Sequence, residues 1–392
     1  MSETLVAAAE PTAARTRALA AATRHTLDTV SECAWQRLCG EAAEPNAFYA
    51  PGFTVPAAAF AQGGHGADAL CVEDGERLIG FLPVTSALRA YGLPIPALVG
   101  TVPYAVLGSP LLVPDRAAFA AGRLLDAAAA TGARLLVLPK LDLDGPAMAG
   151  LAAAAERRGL TALIHGEHQR AALAVPDDAE TYLRAGMGAK KLKELRRQGH
   201  RLDEEGTVAF ASAHSPDAVA PALTRFLELE ARGWKGKRGT GLGQSEGDTR
   251  FIRTAATTLA SKGDFEVLEM TLDGRPIASG LIIRQQNTAL FFKIAYDEAY
   301  ARFSPGVQLT VELTRRLVED PAITYADSTA LPGHPMIDHV WRERRRVGDV
   351  LIPTRPGIAG PALARLVIAR HRARDEAKHL VHAFKKFREK SR

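Results

Sequence analysis

The sequence predicts an α+β protein built from two similar halves, each a mixed β-sheet flanked by helices. Three observations carry this. A strand, an Asp-Gly pair and a second strand occur twice, over 67–84 with Asp74-Gly75 and over 265–283 with Asp273-Gly274. Each hairpin leads to a Ser-Pro pair, Ser109-Pro110 and Ser304-Pro305, and then to an amphipathic helix and a short apolar strand. Finally, 392 residues exceed one ordinary core, while 47% hydrophobic and 24% charged residues suit a globular chain.

The elements follow in order. The Ala-rich stretch 1–24 reads as a loosely ordered tail without the charged start and apolar run of a signal peptide. Residues 25–177 form the first half and 178–355 the second. Asp-Gly marks a type I′ hairpin turn, because both central positions need positive φ. The repeated order of hairpin, Ser-Pro, helix (116–131 and 306–320) and strand (134–139 and 323–327) reads as an internal duplication. Between the hairpins, 181–202 is a basic helix carrying Lys190, Lys191, Lys193, Arg196, Arg197 and Arg201. A helix over 216–232 shows Val219, Leu223, Phe226, Leu227 and Glu230 at helical spacing. A glycine-rich basic loop over 233–241 follows, then a helix over 248–262.

Residues 356–392 hold a long basic helix, expected over 362–390 with Leu366, Ala373, Leu380 and Phe387 seven apart. Residues 361–392 contain ten Lys or Arg against three Asp or Glu, so the other 360 residues carry a net −2. The body therefore gives no reason to expect a nucleic-acid partner. The helix is suited to docking on the body, to a partner, or to peripheral contact with an anionic membrane. No apolar run reaches the length of a membrane span. Cys33, Cys39 and Cys71 cannot all pair, which fits a reducing cytoplasm. His334 and Asp338 have metal-ligand spacing but no evident third ligand, so no metal is expected.

The most informative stretch is 273–306. A β-rich run ends at Tyr296-Asp297, and Ser304-Pro305-Gly306 opens an amphipathic helix. A helix N-terminus after a small-residue turn presents backbone N–H groups and a positive dipole end, an anion cradle suited to a pyrophosphate. The first half has Ser109-Pro110-Leu111 instead, without the glycine that permits close approach. It is expected to serve as scaffold or acceptor wall.

The order helix, Trp234-Lys235-Gly236 loop, helix, Asp-Gly hairpin, Lys293-Ile294-Ala295-Tyr296-Asp297, Tyr300, Ser304-Pro305-Gly306 and Asp327 resembles the GNAT-superfamily acyltransferases of the cellulose-biosynthesis (CelD-like) type. These are relatives of the Fem-type aminoacyl transferases, which carry tandem GNAT-like domains. The specific match spans roughly 181–347. The resemblance implies tandem GNAT-like halves and an acyl-CoA, above all acetyl-CoA, as co-substrate. It implies N- or O-acyl transfer to an amine or hydroxyl of a small-molecule or glycan acceptor, with a cell-envelope component as one candidate. Fem-type relatives use aminoacyl-tRNA, so nucleic acid enters only if a charged tRNA is the donor. A non-catalytic GNAT-like binding module is the remaining alternative.

By this resemblance Ser304, Pro305, Gly306, Val307 and Gln308 form the phosphate cradle. Phe292, Lys293, Ile294, Ala295 and Tyr296 form the strand beside the pantetheine arm. Acyl transfer needs a base for the acceptor proton and an acid for the leaving thiolate. Asp327 and Asp297 are the candidate carboxylates, and Tyr296 the candidate acid. Trp234, Lys235, Lys237 and Arg238 are candidates for contacting the 3′-phosphate of CoA or an anionic acceptor.

Overall fold

The structure is a computed structural model that describes residues 20–233, 236, 239 and 241–390, with side chains for these except 375 and 378–390. The first half begins with strand β1 (Ala21–Thr26), helix α1 (Glu32–Glu41) and helix α2 (Pro51–Phe60). Strands β2 (Asp68–Asp74) and β3 (Arg77–Ser86), short helix α3 (Ala87–Tyr91) and strands β4 (Ala97–Val99) and β5 (Leu111–Leu112) follow. Helix α4 (Ala117–Ala130), strand β6 (Leu135–Asp142), helix α5 (Pro146–Glu156) and strand β7 (Leu163–Ala174) complete it.

The second half opens with helices α6 (Ala179–Met187) and α7 (Ala189–Asp203), strand β8 (Val208–Ala213) and helices α8 (Pro216–Arg232) and α9 (Glu246–Ala260). Strands β9 (Phe265–Leu272), β10 (Arg275–Gln285) and β11 (Thr288–Tyr296) follow, then helix α10 (Pro305–Glu319) and strands β12 (Tyr325–Asp327) and β13 (Glu343–Pro353). Helix α11 (Ala359–Lys390) ends the described chain.

The strands form one thirteen-stranded sheet in the order β1-β2-β3-β4-β6-β13-β7-β12-β11-β10-β9-β8, with β5 beside β3. The expected α+β class and the duplicated order are both present. Each half runs strand, two helices, an antiparallel three-strand meander, a helix and a strand parallel to the last of the meander. The parallel pairs are β4 with β6 and β11 with β12. The Asp273-Gly274 turn has positive φ at both residues, 48° and 75°, as a type I′ turn requires. In the first hairpin Asp74 pairs with Arg77, so Gly75 (φ 64°) and Glu76 make the turn instead.

The halves exchange strands at the centre. β7 follows β6 in the chain but pairs with β12 and β13. β13 follows β12 but pairs with β6. Each half thus borrows its inner edge from the other. The tail expected over 1–24 ends sooner, because Ala21–Arg24 pair with Leu70–Glu73. The expected basic helix is two helices, broken at Gly188 with φ 77° and ψ 151°.

Hydrogen bonds and apolar cores lock the joint. Phe292 of β11 packs among Phe48 and Phe53 of the first half, each 5.8 Å between ring centroids. Gln285 Nε2 and Gln286 Nε2 donate to Cys39 O at 3.0 and 2.9 Å. The start of α11 docks on the first half, where Ala364 and Val367 are buried with Val99, Val137 and Leu351. Leu366 of the expected seam faces solvent. No helix of the described residues is long and apolar enough to cross a membrane.

Candidate functional site

The site is built from a break in the sheet. β11 and β12 pair only over Thr288–Leu290 and Tyr325–Asp327. Beyond Leu290, β11 keeps β10 as its neighbour while the chain after β12 turns away. Thr329, at φ 52°, donates its hydroxyl to Phe291 O at 2.8 Å and closes the first step of the opening. At the same place β11 bulges: Lys293 opposes Leu281 and Phe291 opposes Ile282, so Phe292 has no partner in the register. A bulge re-aims side chains and frees a ladder position, which is why bulges gather beside active sites.

The expected phosphate cradle is a tight turn into helix α10. Ser304 adopts φ 52° and its carbonyl accepts from Val307 N and Gln308 N, both at 3.0 Å. Ser304 N donates to Ala301 O at 3.0 Å, and Pro305 has no N–H to offer. Gly306 is buried, and a Cβ placed there would collide with Met336 Sδ. Met336 belongs to the segment after β12, which folds back over the start of α10. Trp341 anchors that segment by donating Nε1–H to Thr314 Oγ1 at 2.9 Å. Within 304–308 the amides of Ser304, Val307 and Gln308 serve the turn and the first helical turn, and Met336 packs against Gly306.

Asp327, a candidate carboxylate, lies inside the strand exchange. It is fully buried, and its Oδ2 accepts from Arg170 Nη2 at 2.6 Å and Arg345 Nη1 at 3.0 Å. Its Oδ1 accepts from Thr329 N at 2.8 Å. Burial works to raise its pKa, but the Arg170 and Arg345 guanidiniums outweigh it and hold the carboxyl below its ordinary value. A carboxylate so engaged has no capacity to take a substrate proton. It belongs to a buried cluster at the strand exchange, in which Arg345 also meets Asp142 and Glu44, both at 2.8 Å.

Asp297 braces a turn: its Oδ1 accepts from Ala299 N at 2.9 Å at the head of the 3-10 turn Glu298–Phe303. The Tyr296 ring packs near Gly306. Ala295 is buried in the core at the joint. Trp234, Lys235, Lys237 and Arg238 lie outside the described residues.

Lys293 does face the joint. Its ammonium lies 5.5 Å from the ring centroid of Tyr104, a residue of the first half. Tyr104 has φ 65°, and its ring stacks on Phe251 of α9 at 5.3 Å with 12° between planes. Burial first, then a hydrogen bond to Asp248, pushes the Tyr104 hydroxyl well above the usual phenol range. Asp248 is buried and also accepts from Gln62 N at 3.0 Å. Glu230, buried at the end of α8, accepts from Leu242 N at 2.7 Å. Tyr104 meets Lys293 of β11 and has Asp248 and Glu230 beside it, and the sequence reading assigned none of these three to the site. Glu230 carried a signal, a carboxylate on an otherwise apolar helical stripe. Tyr104 and Asp248 carried none.

Residues 189–330 match the family described as acetyltransferase (GNAT) domain, which spans α7 to β12 and includes the bulge and the opening. No curated protein matches the chain. Among solved structures, the chain is similar to FemX, at 9% identity over 82% of this chain and 96% of that one, with a TM-score of 0.54. It is similar to the C-terminal domain of a putative lysylphosphatidylglycerol synthetase from Agrobacterium fabrum, at 15% identity over 86% and 96%, with a TM-score of 0.53. A tandem GNAT protein from the clavulanic acid biosynthesis pathway aligns at 17% identity over 86% and 100%, with a TM-score of 0.43. The first two likenesses concern the fold.

Proposed function

We propose, from the premise that residues 189–330 form a GNAT-superfamily domain, that the chain transfers an acyl group from an acyl-CoA to an amine or hydroxyl acceptor. The observation that carries this is the coincidence, inside the matched region, of the β11 bulge at Phe292 with the parting of β11 from β12. In this reading the thioester lies along β11 past Phe291. The unpaired place at Phe292 provides a backbone donor for the developing oxyanion, the most effective kind of stabilisation in acyl transfer. The acceptor approaches from the first half, at Tyr104. The Tyr104 hydroxyl, hydrogen-bonded to Asp248, orients the acceptor, and the proton that the acceptor sheds passes to the departing CoA thiolate. Lys293 holds negative charge close to the reacting centre.

Isothermal titration of the full chain with acetyl-CoA tests the donor. Saturable binding that is weakened by Phe292→Pro supports the reading. Absence of binding to acetyl-CoA and to longer acyl-CoAs sinks it. A second reading, aminoacyl transfer from a charged tRNA, is favoured by one observation: Met336 packs against Gly306 at the helix start that a CoA diphosphate would use. Transfer of a labelled aminoacyl group from tRNA, in the absence of CoA binding, would select it.

A further inference from the structure

A second cavity lies in the first half, where β4 and β6 part. It has a volume of about 770 Å³, within the range of small-molecule sites. Its walls come from the segment after β4, from the end of α3, from β7 and from α11. Cationic and imidazole groups converge on it: Arg89, Lys140, His165, His168, His371 and Arg374. Among the described residues lining it, Asp349 is the one acid, and it is engaged. Asp349 Oδ1 accepts from the backbone N of Lys140 at 3.0 Å, and its Oδ2 lies 3.6 Å from His371 Nδ1.

Lys140 is the lysine of the cavity lining. Its backbone is held at φ 54°, a conformation costly for a residue with a side chain. Its side chain is accessible from the cavity, yet the enclosing walls, and then the Arg170 charge, lower the pKa of its ammonium. Among the described residues no carboxylate lies within ion-pair distance of its Nζ. Arg89 is fixed by donating Nη1–H to Gly66 O at 2.8 Å, which leaves the rest of its guanidinium unspent. The rings of His165 and His371 stand 5.9 Å apart. Tyr91 adds a buried hydroxyl without a hydrogen-bond partner among the described residues. A cluster of donors with so little internal neutralisation is costly to assemble unless an anion completes it.

We propose that this cavity binds an organic oxyanion, a small molecule bearing phosphate or several carboxylates, held by Lys140, Arg89 and the His371–Arg374 turn of α11. Docking of the C-terminal helix thus completes a ligand site in the half that the sequence reading assigned to scaffold. The cavity borders the proposed reaction centre, since Tyr104 lines it, but the inference requires nothing of β11.

Calorimetric titration of the full chain at low salt, with inorganic pyrophosphate in one arm and citrate in the other, tests it. Saturable binding of at least one is expected, and the stronger arm identifies the oxyanion class. Lys140→Gln should weaken that affinity at least tenfold. The variant Arg374→Gln, at an exposed position of α11, should weaken it comparably while melting like the parent. Lack of binding of either anion up to about 5 mM, or undiminished affinity in both variants, overturns the proposal.

Discussion

Met336 seals the start of helix α10 by placing its sulfur where a side chain on Gly306 would begin. Because the neighbour is a flexible thioether, the contact is tight but yielding. Gly306→Ala should therefore cost only about 1–2 kcal/mol of stability by overpacking. In a Met336→Ala background the same change should be close to neutral. Denaturant midpoints for the four proteins of this cycle check it; additive effects would show that the two residues do not meet. If acyl-CoA binds by displacing Met336, Met336→Ala should also tighten acetyl-CoA binding roughly three- to tenfold, as removal of a competing state does.

The joint at the strand exchange sets a pH dependence. Three carboxylates, Glu44, Asp142 and Asp327, face two guanidiniums, Arg170 and Arg345. One carboxyl is therefore left short of a full positive partner. It is Glu44, pushed up to about 7 by burial against the pull of Arg345. The unfolded chain loses this proton near ~4.3. Between the two values the folded state holds more protons, so stability falls as pH rises through the window, by on the order of 1–3 kcal/mol. Asp327 acts with the opposite sign, because its lowered pKa adds stability that is lost only in acid. Glu44→Gln should flatten the dependence between about pH 4 and about pH 7. A stability difference between parent and Glu44→Gln that is constant across that range rules this out.

Removing Arg345 should be far costlier than removing Glu44. Its guanidinium is the common partner of Glu44, Asp142 and Asp327, and it is buried. Arg345→Met leaves charge without compensation and should cost about 3–5 kcal/mol. Urea unfolding measures it; a loss below about 1 kcal/mol would mean that solvent reaches the cluster.

Strand exchange makes the halves interdependent. A chain stopped after residue 342 lacks β13, which stands between β6 and β7, and also lacks the α11 contact with the first half. Both parallel cores then present an open edge. Such a chain should show no cooperative unfolding transition and should aggregate. A soluble truncation with the parent's melting profile would show that the halves fold without the exchange.

Tyr104 links the first half to the end of β11. Tyr104→Phe keeps the stack on Phe251 but removes the hydroxyl bonded to Asp248. Under the acyl-transfer reading it should lower turnover about 10²-fold with little change in acyl-CoA affinity. Product formation followed by mass spectrometry, beside calorimetry, separates the two. Equal turnover would remove Tyr104 from the chemistry.

Local signals were enough to place most elements. The Asp273-Gly274 turn, the helical stripes of α8 and α9 and the repeated order of elements follow from backbone preference and apolar period, which act over a few residues. The same reading located the region of the bulge, because the Lys293–Asp297 stretch bears a family resemblance. It did not locate the partners of that stretch. Tyr104 lies far from it in sequence, in the other half, and meets Lys293 across the joint. Asp327 illustrates the limit: position at a strand end suggested a base, whereas Arg170 and Arg345, brought in by the exchanged strands, made it a buried ion pair. Gly306 likewise offered an open approach in the sequence, until the segment anchored by Trp341 laid Met336 across it. Short-range chemistry, then, determined the elements and their repetition. Long-range pairing alone decided which charges were neutralised and which backbone remained reachable, because both depend on neighbours that the chain supplies from far away.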